Sequence, residues 1–371
     1  MWQVCIEHWQ RYNEVPTAIA VKDLMPGVTL LRVDDSYEYL IDQFVAWRRR
    51  GLTVELLQES FTEIKGEDHE AALLKMNAGL SKIADVGVHA SRDIDLTQTV
   101  DKRIEEYLAL RDLPNGMRGL ATGFPTIDKA TSGLQGGQLV TIVAQPKCGK
   151  STLAVALARN IHNLDVPVSL ISFEMSNDEQ AARYDAISAG ISHTRLMRGE
   201  MTPDDERFLR RALGRTKGMS AFNLVADPTS ASTVSGIAAK AEVYNPAVLI
   251  IDGVYLMQDE ISGEQNTPQA LTNITRNLKR LAQKRDIPIV ISTQALTWKM
   301  SKKKGVTADS IGYSSSFFQD SDVILGLQFE DEEEDPDTRL LKVLASRNCG
   351  RVETIMTWDW MNSRFEEYQD A

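Results

Sequence analysis

The sequence predicts an α/β protein whose larger, C-terminal part is a mostly parallel central sheet covered by helices, preceded by a small all-α region. Three observations carry this. The apolar run Leu139–Val143 breaks into a turn and then continues with helical spacing from Leu153 to Ile161. Downstream, short β-branched runs alternate with helical patterns, the order of βαβ units. Upstream of about residue 84 the apolar spacing is helical, with no strong alternation.

Taken in order, residues 1–84 read as helices. Trp2, Cys5, Ile6, Trp9 and Tyr12 share one face. Tyr39, Leu40, Phe44, Val45 and Trp47 populate a second helix, expected to end at Arg48-Arg49-Arg50-Gly51. Leu56, Leu57, Phe61 and Ile64 mark a third, and Ala71 to Ile83 a fourth. The aromatic stripes suit a core or a subunit contact, and the arginine triplet suits a basic last turn. Residues 85–118 read as a linker with one short amphipathic helix, Gln98–Leu110, before Pro114-Asn115-Gly116. From 119 to 371 a Gly-rich stretch leads into strands expected at Leu139–Val143, Val168–Phe173, Ala247–Ile251, Ile287–Ser292, Val323–Gln328, Arg339–Ala345 and Glu353–Trp358. The acidic run Glu330–Asp337 reads as a solvated loop between two of them.

Ala144 to Thr152 has the spacing of a phosphate-binding loop, with Ala144 where the pattern usually begins on Gly. Lys147, Cys148 and Gly149 make its turn, and Gly149 lets the backbone approach phosphate. The amides that open the next helix, at Lys150, Ser151 and Thr152, point at the same place. Lys150 is placed to reach the β and γ oxygens, and Ser151 to hold Mg²⁺. The stretch reads as a nucleoside triphosphate site with Mg²⁺ as its metal.

Active groups in parallel sheets gather at the C-terminal ends of strands. Asp252 closes the run Val248–Asp252, where a carboxylate would hold the metal through its water shell. Glu174 follows another strand and suits proton transfer from the attacking water, although Ser176–Glu179 opens a helix and an acid there also fits a helix N-terminus. Gln294 ends a third strand with an uncharged amide suited to sensing a γ-phosphate. Together these point to NTP hydrolysis. Arg347, at the tip of the last expected hairpin, is a candidate cation for a neighbouring subunit's γ-phosphate, or an exposed turn arginine. Trp298, Lys299, Lys302, Lys303 and Lys304 combine cation with aromatic, as single-strand binders do, and equally fit a solvated basic loop. Gly312 and Ser314, within Ser310–Ser316, belong to a segment able to lie against a phosphate backbone.

At 371 residues and 43% apolar content the chain suits about two domains with a full core. A net charge of −11 excludes a protein that coats nucleic acid with its whole surface and leaves room for a local basic channel. No apolar stretch has the length of a membrane span, and the start lacks a basic segment followed by an apolar one, so a cytoplasmic location is expected. Cys5, Cys148 and Cys349 are far apart and show neither disulfide nor metal-ligand spacing.

From about Tyr37 to its end the chain resembles the DnaB family of replicative DNA helicases, which are RecA-like ring ATPases. The resemblance lies in Gly123-Phe-Pro-Thr-Ile-Asp128 with Gly133-Leu-Gln-Gly-Gly137, the Ala-started phosphate loop, Ser172-Phe-Glu-Met-Ser176, and Leu249-Ile-Ile-Asp252 with Leu256-Met257. Leu278–Ala282, Ile287–Gln294 and Gln319–Val323 continue it. It implies a RecA-like P-loop core, a hexameric ring hydrolysing ATP at subunit interfaces, movement 5′ to 3′ on single-stranded DNA, and a primase or helicase loader as partner. It implies Glu174 as catalytic base, Asp252 as the metal-holding acid, Gln294 as sensor and Arg347 as a finger acting in trans. Ser310–Ser316 corresponds to a pore loop, Gln98–Leu110 to the linker helix that docks on the next subunit, and Tyr37–Ile83 to the hairpin of an N-terminal collar. The chain departs from the family in a short N-terminal segment, in Ala345 where a lysine often stands, in a pore loop without the arginine-glutamate pair, and in Gly253 in place of the usual tyrosine. Such divergence suggests a bacteriophage member. The alternatives are a RecA-family recombinase or repair ATPase, and a KaiC-like regulatory ring ATPase.

Overall fold

Strand β1 (Leu139–Ala144) is buried along its whole length, and its side chains feed two different cores. Leu139 and Val143 face one core, Val140, Ile142 and Ala144 the other, as the period of two requires. A strand buried on both faces belongs in the middle of a parallel sheet. It lies there, in a nine-stranded sheet of order β3-β2-β4-β5-β1-β6-β7-β8-β9. The parallel part comprises β1, β2 (Val168–Ser172), β3 (Phe222–Val225), β4 (Val248–Asp252), β5 (Ile289–Gln294) and β6 (Val323–Asp331). Strands β7 (Asp335–Ser346), β8 (Glu353–Asp359) and β9 (Arg364–Glu367) extend it antiparallel.

The computed structural model describes residues 8, 17–28, 37–66, 72, 75–76, 79–80, 83, 95–111, 113, 116–225, 232–295, 305–307, 316–331 and 335–368. They fall into two units, Met1–Arg92 and Asp93–Ala371. In the first, α1 (Ala18–Leu24) starts on Thr17, whose hydroxyl accepts from the Ala20 amide. Helix α2 (Tyr37–Lys65) is continuous, so the expected break at Arg48–Gly51 is overturned. A single Gly costs a helix only about 1 kcal/mol relative to Ala, and no Pro follows it. The arginine triplet is therefore mid-helix and not a basic last turn. Leu56 of α2 is buried, and a Cβ on the helical Gly79 would lie 2.3 Å from its side chain, so the backbone at residue 79 lies close against α2. The face predicted from Trp2 to Tyr12 lies outside the described residues.

In the second unit, α3 (Val100–Arg111) follows a turn in which Asp95 accepts from the amide and hydroxyl of Thr97. Helices α4 (Pro125–Thr131), α5 (Lys150–His162), α6 (Asn177–Ala189), α7 (His193–Arg198), α8 (Pro203–Thr216), α9 (Val234–Tyr244), α10 (Pro268–Arg285) and α11 (Ser316–Asp320) complete it. Helix α5 packs Leu153, Leu157 and Ile161 on one core; α9 and α10 pack Ile237, Leu271, Ile274 and Leu278 on the other. The expected α/β class and mostly parallel sheet are thus present. Two short strands were not foreseen: β3 has four residues, and β9 buries only Phe365. The hairpin that carries Arg347 is consequently β7–β8 and not the last one. The acidic run is mostly strand, since β6 reaches Asp331 and pairs it with Asp335 of β7.

The stretch Gly123–Asp128 is a structural turn. Asp128 is buried; its Oδ1 accepts from the Thr122 amide and hydroxyl at 2.7 and 2.8 Å, and its Oδ2 from the Gly123 amide at 3.0 Å. Glu367 of β9 accepts from the Thr126 amide at the start of α4. Asp128→Ala strands three donors and is expected to cost about 3 kcal/mol of stability, measured as a lowered urea midpoint with unchanged slope.

Candidate nucleotide-binding site

The phosphate-binding loop joins β1 to α5. Lys147 and Gly149 both take positive φ, +62° and +101°. At Gly149 this is compulsory for a second reason: a Cβ would sit 2.0 Å from the indole ring of buried Trp358. Cys148 is buried, and its carbonyl accepts from Nε of buried Arg339 at 3.1 Å. Arg339 stacks over Phe329 at 4.1 Å from the ring centre. The loop is thus backed by residues of β6, β7 and β8.

Lys150, the first residue of α5, reaches back across the strand ends. Its Nζ donates to Glu174 Oε1 at 2.8 Å, Asp252 Oδ1 at 2.7 Å and Ser292 Oγ at 3.2 Å. The Lys150 side chain is 8% exposed and that of Asp252 0%, so this is a buried charge cluster. Ser292 donates to Asp252 Oδ1 at 2.6 Å and accepts from the Gly253 amide at 2.8 Å. Burial pushes the Asp252 carboxyl up, but the Lys150 charge and hydrogen bonds from Lys150, Ser151 and Ser292 outweigh it and hold the group below the usual carboxylate range. Asp252 Oδ2 is buried without a partner among the described residues. A carboxylate oxygen with open coordination beside the Ser151 hydroxyl fits a hard, oxygen-seeking cation such as Mg²⁺.

Glu174 does not cap α6. Ser176 does, in a capping box with Glu179, which leaves Glu174 to the cluster. Its Oε1 also accepts from the Tyr255 hydroxyl. Gln294 donates through Nε2 to the same hydroxyl at 2.8 Å. Arg183 of α6 donates to Thr152 Oγ1 at 2.8 Å. A cavity of about 330 Å³ lies between Lys147, Lys150, Glu174, Arg183, Gln294 and Trp360. A larger one, about 840 Å³, opens between α5, the end of α6 and β9. It holds none of the strand-end polar residues, so the chemistry belongs to the smaller.

Sequence reasoning placed Ala144, Lys147, Cys148, Gly149, Lys150, Ser151, Thr152, Glu174, Asp252 and Gln294 here, and the fold brings them together. It missed Tyr255, Ser292, Arg183 and Trp360. Ser292 carried a signal, being the hydroxyl that ends the apolar run Ile289–Ile291 two residues before Gln294; the other three follow strands at distances only the fold defines.

Arg347 stands apart. Its amide donates to the Asp322 carbonyl, and the Asp322 amide donates to Leu139, at the start of β1. The phosphate loop lies at the other end of β1, so Arg347 occupies the opposite edge of the sheet. Its guanidinium pairs with Asp322 at 3.5 Å and donates to the Gln319 carbonyl at 3.3 Å. Trp298, Lys299, Lys302, Lys303, Lys304, Gly312 and Ser314 lie outside the described residues. Among the described residues no helix is long and apolar enough to cross a membrane.

Residues 119–367, more than half of the chain, match the family described as the DnaB-like helicase C-terminal domain. The replicative DNA helicase DnaB of Geobacillus stearothermophilus is 28% identical over 70% of this chain and 58% of its own length. The replicative DNA helicase DnaC of Bacillus subtilis is 26% identical over 81% of this chain and 64% of its own. The chain thus spans about 60% of the length of these relatives. Among solved structures, one of an isolated ATPase domain superposes with a TM-score of 0.67 at 20% identity, covering 75% of this chain and 100% of that domain. A DnaB-like replicative helicase described with its primase interactions gives 0.65 at 18% identity, covering 91% and 81%. At these identities the two structures speak for the fold.

Removing one partner of the buried cluster has a pH signature. Asp252→Asn leaves Lys150 with Glu174 as its one carboxylate partner and is expected to lower stability by about 3 kcal/mol at neutral pH. Because the folded Asp252 carboxyl titrates below its unfolded value of about 3.9, that contribution is present above this pH and is lost as the pH falls through the folded value. Urea unfolding of the two proteins should therefore differ constantly from about pH 8 to pH 5 and converge at lower pH.

Proposed function

The chain belongs to the DnaB-like helicase family, and from that footing we propose that it is an ATP-dependent replicative DNA helicase, hydrolysing ATP at the subunit interfaces of a ring and moving on single-stranded DNA. The observation that carries this is the meeting of Lys150, Glu174, Asp252 and Gln294 at one end of the sheet, beside the phosphate-binding loop.

In this reading the amides after Gly149 and the Lys150 ammonium hold the β and γ phosphates, the lysine exchanging carboxylate oxygens for phosphate oxygens. Ser151 and Asp252 would hold Mg²⁺, which when bound neutralises charge on the phosphates. Glu174, relieved of Lys150, accepts the proton of the attacking water. Gln294 orients that water or senses the γ-phosphate.

Arg347 is separated from its own phosphate loop by the length of β1, roughly 20 Å at 3.3 Å per residue. That separation supports a role at the neighbouring subunit's site. Helix α3 supports docking on the next subunit, since it buries none of its residues and exposes Ile104, Tyr107 and Leu108. The assignment is then a collar-like region at 1–84, a linker at 85–118 and a motor at 119–371, six to a ring, in the cytoplasm. Single-stranded DNA meets Trp298, Lys299, Lys302, Lys303, Lys304, Gly312 and Ser314, with 5′ to 3′ movement. A primase or a helicase loader is the further partner.

ATP hydrolysis measured with and without single-stranded DNA tests this. Stimulation by DNA is expected, with hydrolysis reduced about 1,000-fold in Arg347→Ala while a fluorescent ATP analogue still binds, and binding lost in Lys150→Ala. Hydrolysis indifferent to DNA in an assembled sample would overturn the helicase assignment in favour of a regulatory ring ATPase.

A further inference from the structure

We propose that Tyr255 is a positioning residue for hydrolysis: its hydroxyl ties the carboxylate of Glu174 to the amide of Gln294, so that the state of the sensor is carried to the group that takes the proton from water. This rests on the hydrolysis reading above.

The local chain is built to present that hydroxyl. Gly253 follows Asp252 with φ +90°, and a Cβ there would lie 3.0 Å from Cγ of Glu174. A side chain at 253 would be strained by the left-handed backbone and would press on Glu174, which favours a glycine directly after the acid. The turn continues as one 3₁₀ element, Val254–Leu256. Val254 and Met257 are buried and anchor it, and Tyr255 between them turns toward the strand ends.

The hydrogen bonds have one consistent direction. A phenol has a single proton, and the carboxylate of Glu174 has none to give, so Tyr255 donates to Glu174 and accepts from Gln294 Nε2. Burial, with the Glu174 carboxylate beside it, raises the Tyr255 phenol above its ordinary value and keeps it protonated as a donor. Both Lys150 and Tyr255 bond the same oxygen, Oε1 of Glu174. When phosphate takes Lys150, the tyrosine is the tie that remains. It holds the carboxylate in place for proton transfer and makes its position depend on where the Gln294 amide sits.

Tyr255→Phe removes the hydroxyl and keeps the ring. The full chain with ATP and Mg²⁺ is expected to show kcat lowered about tenfold or more, the worth of a hydrogen bond to a charged acceptor. Binding of a fluorescent ATP analogue should stay within about twofold of wild type. Adding Gln294→Ala to Tyr255→Phe should cost much less than adding it to the wild type, because the link it acts through is gone. Normal kcat in Tyr255→Phe, equal losses of kcat and binding, or full additivity with Gln294→Ala each overturn the tie. Glu174→Gln separates this from the parent reading: if it still hydrolyses ATP, the assignment of Glu174 as base fails instead. A crystal structure with a non-hydrolysable ATP analogue decides the tie without activity. The hydroxyl must bridge Glu174 and Gln294 with Lys150 on the phosphates, and a tyrosine turned away overturns it.

Discussion

A lysine ammonium that is 8% exposed must be neutralised where it stands, and most of the second unit's architecture serves that requirement. Lys150 finds Asp252 from the end of β4, Glu174 just past β2 and Ser292 from β5. Three strands other than its own must therefore end at one level beside β1. A parallel sheet with β2, β4, β5 and β1 as successive neighbours supplies that alignment directly, Ser172 opposite Asp252 and Ala144 opposite Gln294. In the proposed function the same charge is also what a polyphosphate competes for. Stability without nucleotide and affinity for nucleotide thus draw on one group, and the two carboxylates are its alternative partners.

The antiparallel extension has a comparable purpose on the other side of the loop. Trp358 fills the space that a Cβ at residue 149 would need, and Arg339 holds the Cys148 carbonyl while stacking over Phe329. Their contribution is rigidity: a loop whose backbone takes positive φ at Lys147 and Gly149 keeps its shape because the strands behind it leave no room for another.

What the sequence made legible follows from how locally each feature is determined. Strands buried on both faces are continuous apolar runs, so β1, β4 and β5 could be read, and the phosphate loop is a short contiguous pattern. Asp252 and Gln294 were legible as polar residues closing such runs. Tyr255 was not, because its approach to Glu174 depends on the left-handed backbone at Gly253 and on a 3₁₀ turn, neither of which has a periodicity. The predicted break at Gly51 failed for the opposite reason. A local signal was present, and the helix-forming residues on both sides of it outweighed the cost. Strands β3 and β9 are four residues each, too short to alternate visibly.

The far edge of the sheet repeats the logic of the near one at lower stakes. Asp322 there accepts from the Leu139 amide at 2.8 Å and from Lys279 of α10 at 2.6 Å, and it pairs with Arg347 at 3.5 Å. Its first two bonds fix the start of β1 and are well shielded, whereas the Arg347 side chain is 56% exposed. A pair that open to solvent is worth at most about 1 kcal/mol, so Asp322 orients Arg347 without holding it firmly. An arginine kept in a defined place by a weak tether can leave for a stronger anion at small cost. The buried lysine at the other end of β1 differs: Asp252 and Glu174 hold it tightly enough that only a competitor as highly charged as a polyphosphate displaces them. The cations at the two ends of β1 are thus graded by burial, and in the proposed function one is released by its own subunit's ligand while the other is free to answer a neighbour's.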